Sequence, residues 1–301
     1  SGIGSGQNSG TMQSSTLSPT NATSDGDRGF TELDGARGVA TFTIGSSTYA
    51  IITAVGDHGV QIIDLSGLGV PSSSPPFSGI LARDAETDGE NSFTELSGAR
   101  GVATYTIASA TASALSLTST NYAIVAGFAD DGLQIIDIGV PTAIVAKDAE
   151  TDDVNGFDEL VGARGVATFT ISSNSTYRGA IVTANTADSV TSVDITNPKA
   201  IFEKDVETDG NNSFTEIEEP FGVDTFTIGG TTYAIVVSRA DNGVQMIDIS
   251  NPAAIVAKDA ETDGANGFTE LEGAKGVTTF TSLSKVSDLF DVDGDSDTNE
   301  L

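Results

Sequence analysis

FTELDGARGVATFTI, residues 30–44, decides the fold, because the chain repeats it. The phrase returns from Phe93, from Phe157 as FDELVGARGVATFTI, from Phe214 as FTEIEEPFGVDTFTI and from Phe268 as FTELEGAKGVTTFT, at spacings of 63, 64, 57 and 54 residues. A second phrase follows in each unit: YAIITAVGDHGVQIIDL from Tyr49, YAIVAGFADDGLQIIDI from Tyr122, the degenerate GAIVTANTADSVTSVDI from Gly179, and YAIVVSRADNGVQMIDI from Tyr233. A third phrase closes the unit: ILARDAETDG from Ile80, IVAKDAETDD from Ile144, IFEKDVETDG from Ile201 and IVAKDAETDG from Ile255.

Each unit therefore holds four short runs rich in Val, Ile, Thr, Phe and Tyr, here called A (GVATFTI), B (YAIVA), C (GVQIIDI) and D (AIVAKDAETD). Gly, Asp, Asn and Pro separate them, so the runs are strands. Asp-Gly or Asn-Gly between B and C is hairpin chemistry. Asp64, Asp137, Asp194 and Asp248 end each C run and are placed to cap the following turn through side-chain-to-backbone bonds. Length varies where loops belong: the A–B connection is GSS in the first unit and ASATASALSLTSTN in the second. Nothing in the chain carries a helical period. Four antiparallel strands per unit, repeated, predict an all-β fold, a β-propeller of four-stranded antiparallel blades. Run A is expected innermost and run D, with charge on alternate residues, outermost.

The units divide the chain into a Gly/Ser/Thr-rich lead (1–29, with a candidate outer strand), four complete blades (30–92, 93–156, 157–213 and 214–267), a split or partial fifth (268–287) and an acidic tail (288–301). The orphan D-like strand before Phe30 and the orphan A run after Lys275 would each expose an unpaired edge. They predict closure of the ring by the two termini, or self-association through terminal strands.

The run YAIVAGFADDGLQIIDI, followed by a turn and an outer strand, resembles the LVIVD-repeat family of β-propellers, whose repeats have the shape gvavsG-YvaDg-gGLrviDvsnP. The resemblance covers the four units and part of the fifth. This chain departs from the pattern in its long D–A connection and in the third unit, which lacks the Asp-Gly hairpin. The resemblance implies the fold and, since such proteins are mostly uncharacterised surface and secreted ones, an extracellular or cell-surface location.

Composition narrows the function. With 13 Lys+Arg against 43 Asp+Glu the formal charge is -30, and there is one His and no Cys. A chain so acidic has no basic surface for neutralising phosphates, which excludes nucleic acid as partner. No apolar run approaches the ~18–20 residues of a membrane helix. Without Cys there is no thiol catalysis and no cysteine zinc site. No G-x-S-x-G elbow exists, and the abundant carboxylates fall on strands that look solvated, with nothing apolar to raise one of them. The expectation is a protein that is not an enzyme: a structural or adhesive propeller, a subunit of an extracellular assembly or filament. A lectin-like propeller binding surface glycans is the alternative, and a glycan-active enzyme comes third.

Three groups of residues are candidates for sites. Each D run carries Asp-x-Glu-x-Asp: Asp84, Glu86, Asp88; Asp148, Glu150, Asp152; Asp205, Glu207, Asp209; Asp259, Glu261, Asp263. Strand alternation puts each set on one face at about 6.6 Å spacing. With the Glu of the FTEL phrase such a set supplies oxygens for Ca²⁺; equally, it is a solvated edge that resists pairing. The tail residues Asp291, Asp293, Asp295 and Asp297 form a second candidate Ca²⁺ loop. Arg37, Arg100, Arg164 and Lys275 recur just before the innermost strand, around one mouth of the propeller. They form either an anion-binding ring or, in the simpler reading, pairs with acids of the FTEL phrase. Asn21, Asn174 and Asn211 lie in Asn-x-Ser/Thr sequons, glycan acceptors in a secreted protein.

Overall fold

The computed structural model describes residues 24–67 and 79–280. The lead with Asn21, the loop 68–78, the end of the fifth unit and the tail with Asp291, Asp293, Asp295 and Asp297 lie outside the described residues. Sixteen strands form four separate antiparallel sheets, each ordered as in the sequence. The first holds β1 (Ala36–Ile44), β2 (Ser47–Ala54), β3 (Gly59–Asp64) and β4 (Leu81–Thr87). The second holds β5 (Ala99–Thr106), β6 (Asn121–Gly127), β7 (Gly132–Asp137) and β8 (Val145–Thr151). The third holds β9 (Ala163–Ile171), β10 (Asn174–Ala184), β11 (Ser189–Asp194) and β12 (Phe202–Thr208). The fourth holds β13 (Pro220–Ile228), β14 (Thr231–Ser238), β15 (Gly243–Asp248) and β16 (Val256–Thr262). The A strands converge, β1 packing on β5, β5 on β9 and β9 on β13, so the sheets are blades of a propeller with run A innermost. One departure is a short helix, α1 (Ser109–Ala114), in the second unit's A–B insertion; its Ala-rich sequence favours the helix and Ala112 docks it on the core.

Each core lies between two blades. Phe93 and Leu96, from the connection entering the second blade, are fully buried with Phe42, Ile51, Val60 and Ile62 of the first and Val125 and Ile136 of the second. Phe157 and Phe214 occupy the same place at the next two junctions. This explains the phenylalanine that opens the second, third and fourth units: it is the wedge between blades, and burying each one is worth roughly 1.5–3 kcal/mol.

Polar contacts recur at the junctions with a fixed direction. Thr104 Oγ1 donates to Thr41 O (3.1 Å), Thr168 Oγ1 to Thr104 O (3.2 Å), Thr225 Oγ1 to Thr168 O (2.9 Å) and Thr279 Oγ1 to Thr225 O (3.5 Å). The residue at each B–C hairpin tip sits at positive φ and accepts the N–H of a residue entering the next unit. His58 Nδ1 accepts from Gly98 (2.8 Å), Asp131 from Gly162 (2.6 Å), Asp188 from Glu219 (2.8 Å) and Asn242 from Gly273 (2.8 Å). His58 thus does what Asp and Asn do elsewhere. In the innermost strands Gly38, Gly101, Gly165 and Gly222 lie against the carbonyl oxygens of Arg100, Arg164, Phe221 and Lys275, where a Cβ would fall inside 3.0 Å.

The series runs on into the fifth unit and stops. Thr279 N–H reaches Asp224 Oδ2 at 2.6 Å, so residues 275–280 lie along β13 as the next inner segment. Gly276, fifth of the glycines, meets no atom within 4 Å. At the other end Val39 is 66% exposed, whereas Val102 and Val166 are 9% and 8% exposed. Among the described residues the propeller is an open arc of four blades with the inner segment of a fifth.

The outer strands join blades as well. Asp84 Oδ2 accepts Ile144 N–H (2.7 Å), Asp148 accepts Ile201 N–H (2.7 Å) and Asp205 accepts Ile255 N–H (2.6 Å). Asp259, in the last complete blade, accepts among the described residues only its neighbour Ala260 N–H. Asp148→Ala should therefore cost about 1–3 kcal/mol, leaving a buried N–H bare. Asp259→Ala should stay within about 0.5 kcal/mol of the parent. Urea denaturation of both checks this, and equal losses would refute the assignment.

Candidate functional site

The acidic D strands spread their carboxylates over three tasks. The first Asp of a set bonds the next blade, as above. The Glu accepts an amide from the following turn: Glu86 from Asn91 (2.9 Å), Glu150 from Asn155 (2.8 Å), Glu207 from Asn212 (2.8 Å) and Glu261 from Asn266 (2.9 Å). The last Asp holds a backbone N–H of the FTEL phrase: Asp88 takes Leu96, Asp152 takes Leu160, Asp209 takes Ile217 and Asp263 takes Leu271. Among the described residues no three acids are grouped to hold a metal ion. Asp64, Asp137, Asp194 and Asp248 cap their turns by accepting from Ser66, Gly139, Thr196 and Ser250. Asn174 and Asn211 are exposed, Asn174 Oδ1 holding Thr176 of its own sequon.

The FTEL glutamates lie where sequence reasoning did not put them. Three of them turn inward onto the glycine that opens strand C: Glu32 Oε2 on Gly59, Glu95 Oε2 on Gly132 and Glu216 Oε2 on Gly243, with no room for a Cβ. Those three oxygens are buried and lack a hydrogen-bond partner. Burial raises the carboxyls of Glu32 and Glu216, and pushes Glu95 up to about 8, reinforced by Asp130, Asp88, Asp131 and Glu150. In the third unit Glu159 adopts φ 60 and its carbonyl instead receives Ser189 Oγ, from the residue replacing the glycine.

The expected ion pairs between these glutamates and the basic residues are consequently absent. Arg37, Arg100, Arg164 and Lys275 have no ion pair among the described residues. They lie instead at the N-terminal ends of the inner strands, Arg100, Arg164 and Lys275 against aromatic faces. The Arg100 guanidinium lies 3.9 Å over Phe128, and Arg164 lies 3.4 Å over Phe221 and 5.7 Å from Phe128. Arg239 and Lys275 approach Phe221 at 5.6 and 5.8 Å. Arg239 is paired with Glu219, and Arg100 Nε is buried with no acceptor. Burial, followed by the charges of Arg100, Arg37 and Arg239, brings Arg164 down to about 10; burial and Arg37 lower Arg100 too. Stacking on Phe offsets part of the desolvation, by about 2 kcal/mol for each good pair, but supplies no hydrogen-bond acceptor. The mouth thus concentrates planar donor groups and positive charge, the arrangement that receives carboxylate, sulfate or phosphate.

No protein-family model matches the chain, and no curated protein does. Solved structures do. The periplasmic gluconolactonase of Pseudomonas aeruginosa matches at TM-score 0.50 and 11% identity, over 75% of this chain and 54% of that one. A protein from Lactobacillus plantarum matches at TM-score 0.48 and 12% identity, over 78% and 57%. The exo-β-1,3-galactanase of Phanerochaete chrysosporium matches at 0.44 and 10%, over 79% and 52%. The chain spans about half the length of these structures, and the likeness is one of fold.

These findings correct the expectation that the chain is not an enzyme. The gluconolactonase is an enzyme on a matching fold. The premise about carboxylates fails as well, since Glu32, Glu95 and Glu216 of the FTEL phrase are desolvated and Glu95 is raised to about 8. Alternation along the D strands had suggested that all the acids face water.

Proposed function

We propose that this chain is an extracellular binding and adhesive propeller whose mouth, lined by Arg37, Arg100, Arg164 and Lys275, takes an anionic group of its ligand. One observation carries the reading. In a chain with 43 acids and 13 Lys+Arg, Arg37, Arg100 and Arg164 stand together with no ion pair of their own among the described residues, the nearby Glu219 being paired with Arg239. Their mutual repulsion, with Arg100 and Arg164 held away from water, favours a bound anion there. At about 4 Å a unit charge near a protein surface interacts by ~4 kcal/mol, so two guanidiniums in contact give a usable site. The surrounding charge of -30 repels anions at long range and makes binding stronger as salt rises to moderate levels, until screening weakens the contacts themselves. A carboxylated or sulfated saccharide fits this chemistry and would make the protein a lectin for acidic glycans.

Titration calorimetry with sulfate, citrate and an acidic oligosaccharide, against neutral galactose, tests the reading. Arg164→Gln and Arg100→Gln should each weaken anion binding about tenfold or more, while galactose gives no signal. Anion binding unchanged by both substitutions, or no anion binding at millimolar concentration, would overturn it.

A further inference from the structure

We infer that the two open ends of the arc are the halves of one more blade junction, and that a second copy of this chain completes it head to tail, its first blade docking on the fifth-unit segment. Every internal junction matches a glycine of one inner strand with a carbonyl of the next, and a threonine hydroxyl of the next with a carbonyl of the first. The ends carry the unmatched members in the same register. At the fifth unit these are Gly276, with open space where a Cβ would go, and the carbonyl of Thr279, which accepts no threonine hydroxyl among the described residues. At the first blade they are the carbonyl of Arg37 and the hydroxyl of Thr41, neither engaged among the described residues as its counterparts are.

The first blade's open face is built as half a core. Phe30, Ala50 and Ile63 are buried there, with Leu33, Ile52, Leu65, Ile80 and Ala82 half-buried around them. Phe93, Phe157 and Phe214 each have blades on both sides, whereas among the described residues Phe30 packs on the first blade alone. The N–H groups of Gly35 and Ile80, whose equivalents Gly98 and Ile144 bond the preceding blade, find no partner among the described residues. The arc also superposes on 54% of the gluconolactonase chain, so an arc of this curvature takes about as much again to complete a ring. The geometry favours a second copy because the two ends carry the complementary members of one junction in one register. Docking end to start is heterologous: two copies close a ring if the angles sum, and more copies extend a fibre if they do not.

Light scattering on the full chain across a hundredfold concentration range, at 0.15 M and 0.5 M NaCl, tests the inference. The expected mass is twice that of the chain or more, rising with salt as the charge of -30 per copy is screened. Gly276→Val and Val39→Glu change sites that are open in the single chain and each should return it to the monomer, with the melting temperature at low concentration unchanged. Because each variant blocks a different end, mixing the two should restore a dimer and nothing larger. A parent monomeric at every concentration, or a Gly276→Val protein that assembles like the parent, overturns the inference. So does a Gly276→Val monomer that melts far below a monomeric parent, because then the ends meet within one chain.

Discussion

Gly165→Val is expected to destabilise the protein by about 3 kcal/mol. A Cβ at Gly165 meets the carbonyl of Phe221 and, at 2.7 Å, Thr183 Oγ1. That hydroxyl is already committed twice, accepting Gly165 N–H and donating to Phe221 O, both at 2.9 Å. Backbone on one side and a bonded hydroxyl on the other leave the methyl groups nowhere to go. Overpacking at such a place costs about 1–3 kcal/mol, and separating the blades adds the two bonds at ~0.5–1.5 kcal/mol each. Gly165→Ala should lose less, and Gly222→Val less again, because its facing atoms belong to the lone inner segment around Lys275 rather than to a full blade. The urea midpoint at constant slope measures the order. If Gly165→Val lies within 1 kcal/mol of the parent, the inner strands are not in the contact described.

The second large effect is on pH. Stability should fall as pH rises from about 4.5 to about 8, and Glu95→Gln should flatten that fall. Glu95 has an ordinary value of 4.5 in the unfolded chain and about 8 in the folded one. Below 4.5 both states hold the proton and there is no difference. Between the two values the native state keeps a proton that the unfolded state has released, so stability declines with pH. Past about 8 the carboxylate is charged in both states and the loss is complete. Glu32 and Glu216, raised by burial though each accepts a threonine hydroxyl, add slope of the same sign at the acidic end. Self-repulsion of the acidic chain also grows as pH rises from its isoelectric point near 4.1, but it acts on parent and variant alike. The difference between their urea midpoints at pH 5, 6.5 and 8 therefore isolates Glu95, and parallel curves would dispose of the claim.

Much of this architecture was legible because the chain states it several times. The phrase from Phe30 marks the innermost strand, and the B and C runs register as a hairpin in every blade, Tyr49 opposite Asp64 and Tyr122 opposite Asp137. The site was less legible. Alternation along a strand says which side a residue faces, not what waits there, so the acids of the D strands read as one solvated row although each meets a different partner. The inward turn of the FTEL glutamates left a trace in the sequence: Glu32, Glu95 and Glu216 each pair with a glycine opening strand C, and the third unit, where the glutamate turns away, has Ser189 instead. The stacked arginines left another. The second blade has Arg100 and Phe128 where the fourth has Phe221 and Arg239, the same two side chains exchanged between the same two positions. An exchange within one chain signals contact, and it was visible before any coordinates.

The one-directional junction has a consequence for how the molecule comes apart. Each blade touches only the blades beside it, so its stability is the sum of its own sheet and two shared faces. A blade in the middle must break two faces to open, and a blade at a bare end only one. Amide exchange should therefore be graded along the chain, slowest in β6 and β10 and faster in the first blade. A change that merely loosens one junction would then release the shorter side of the arc while the longer side stays folded.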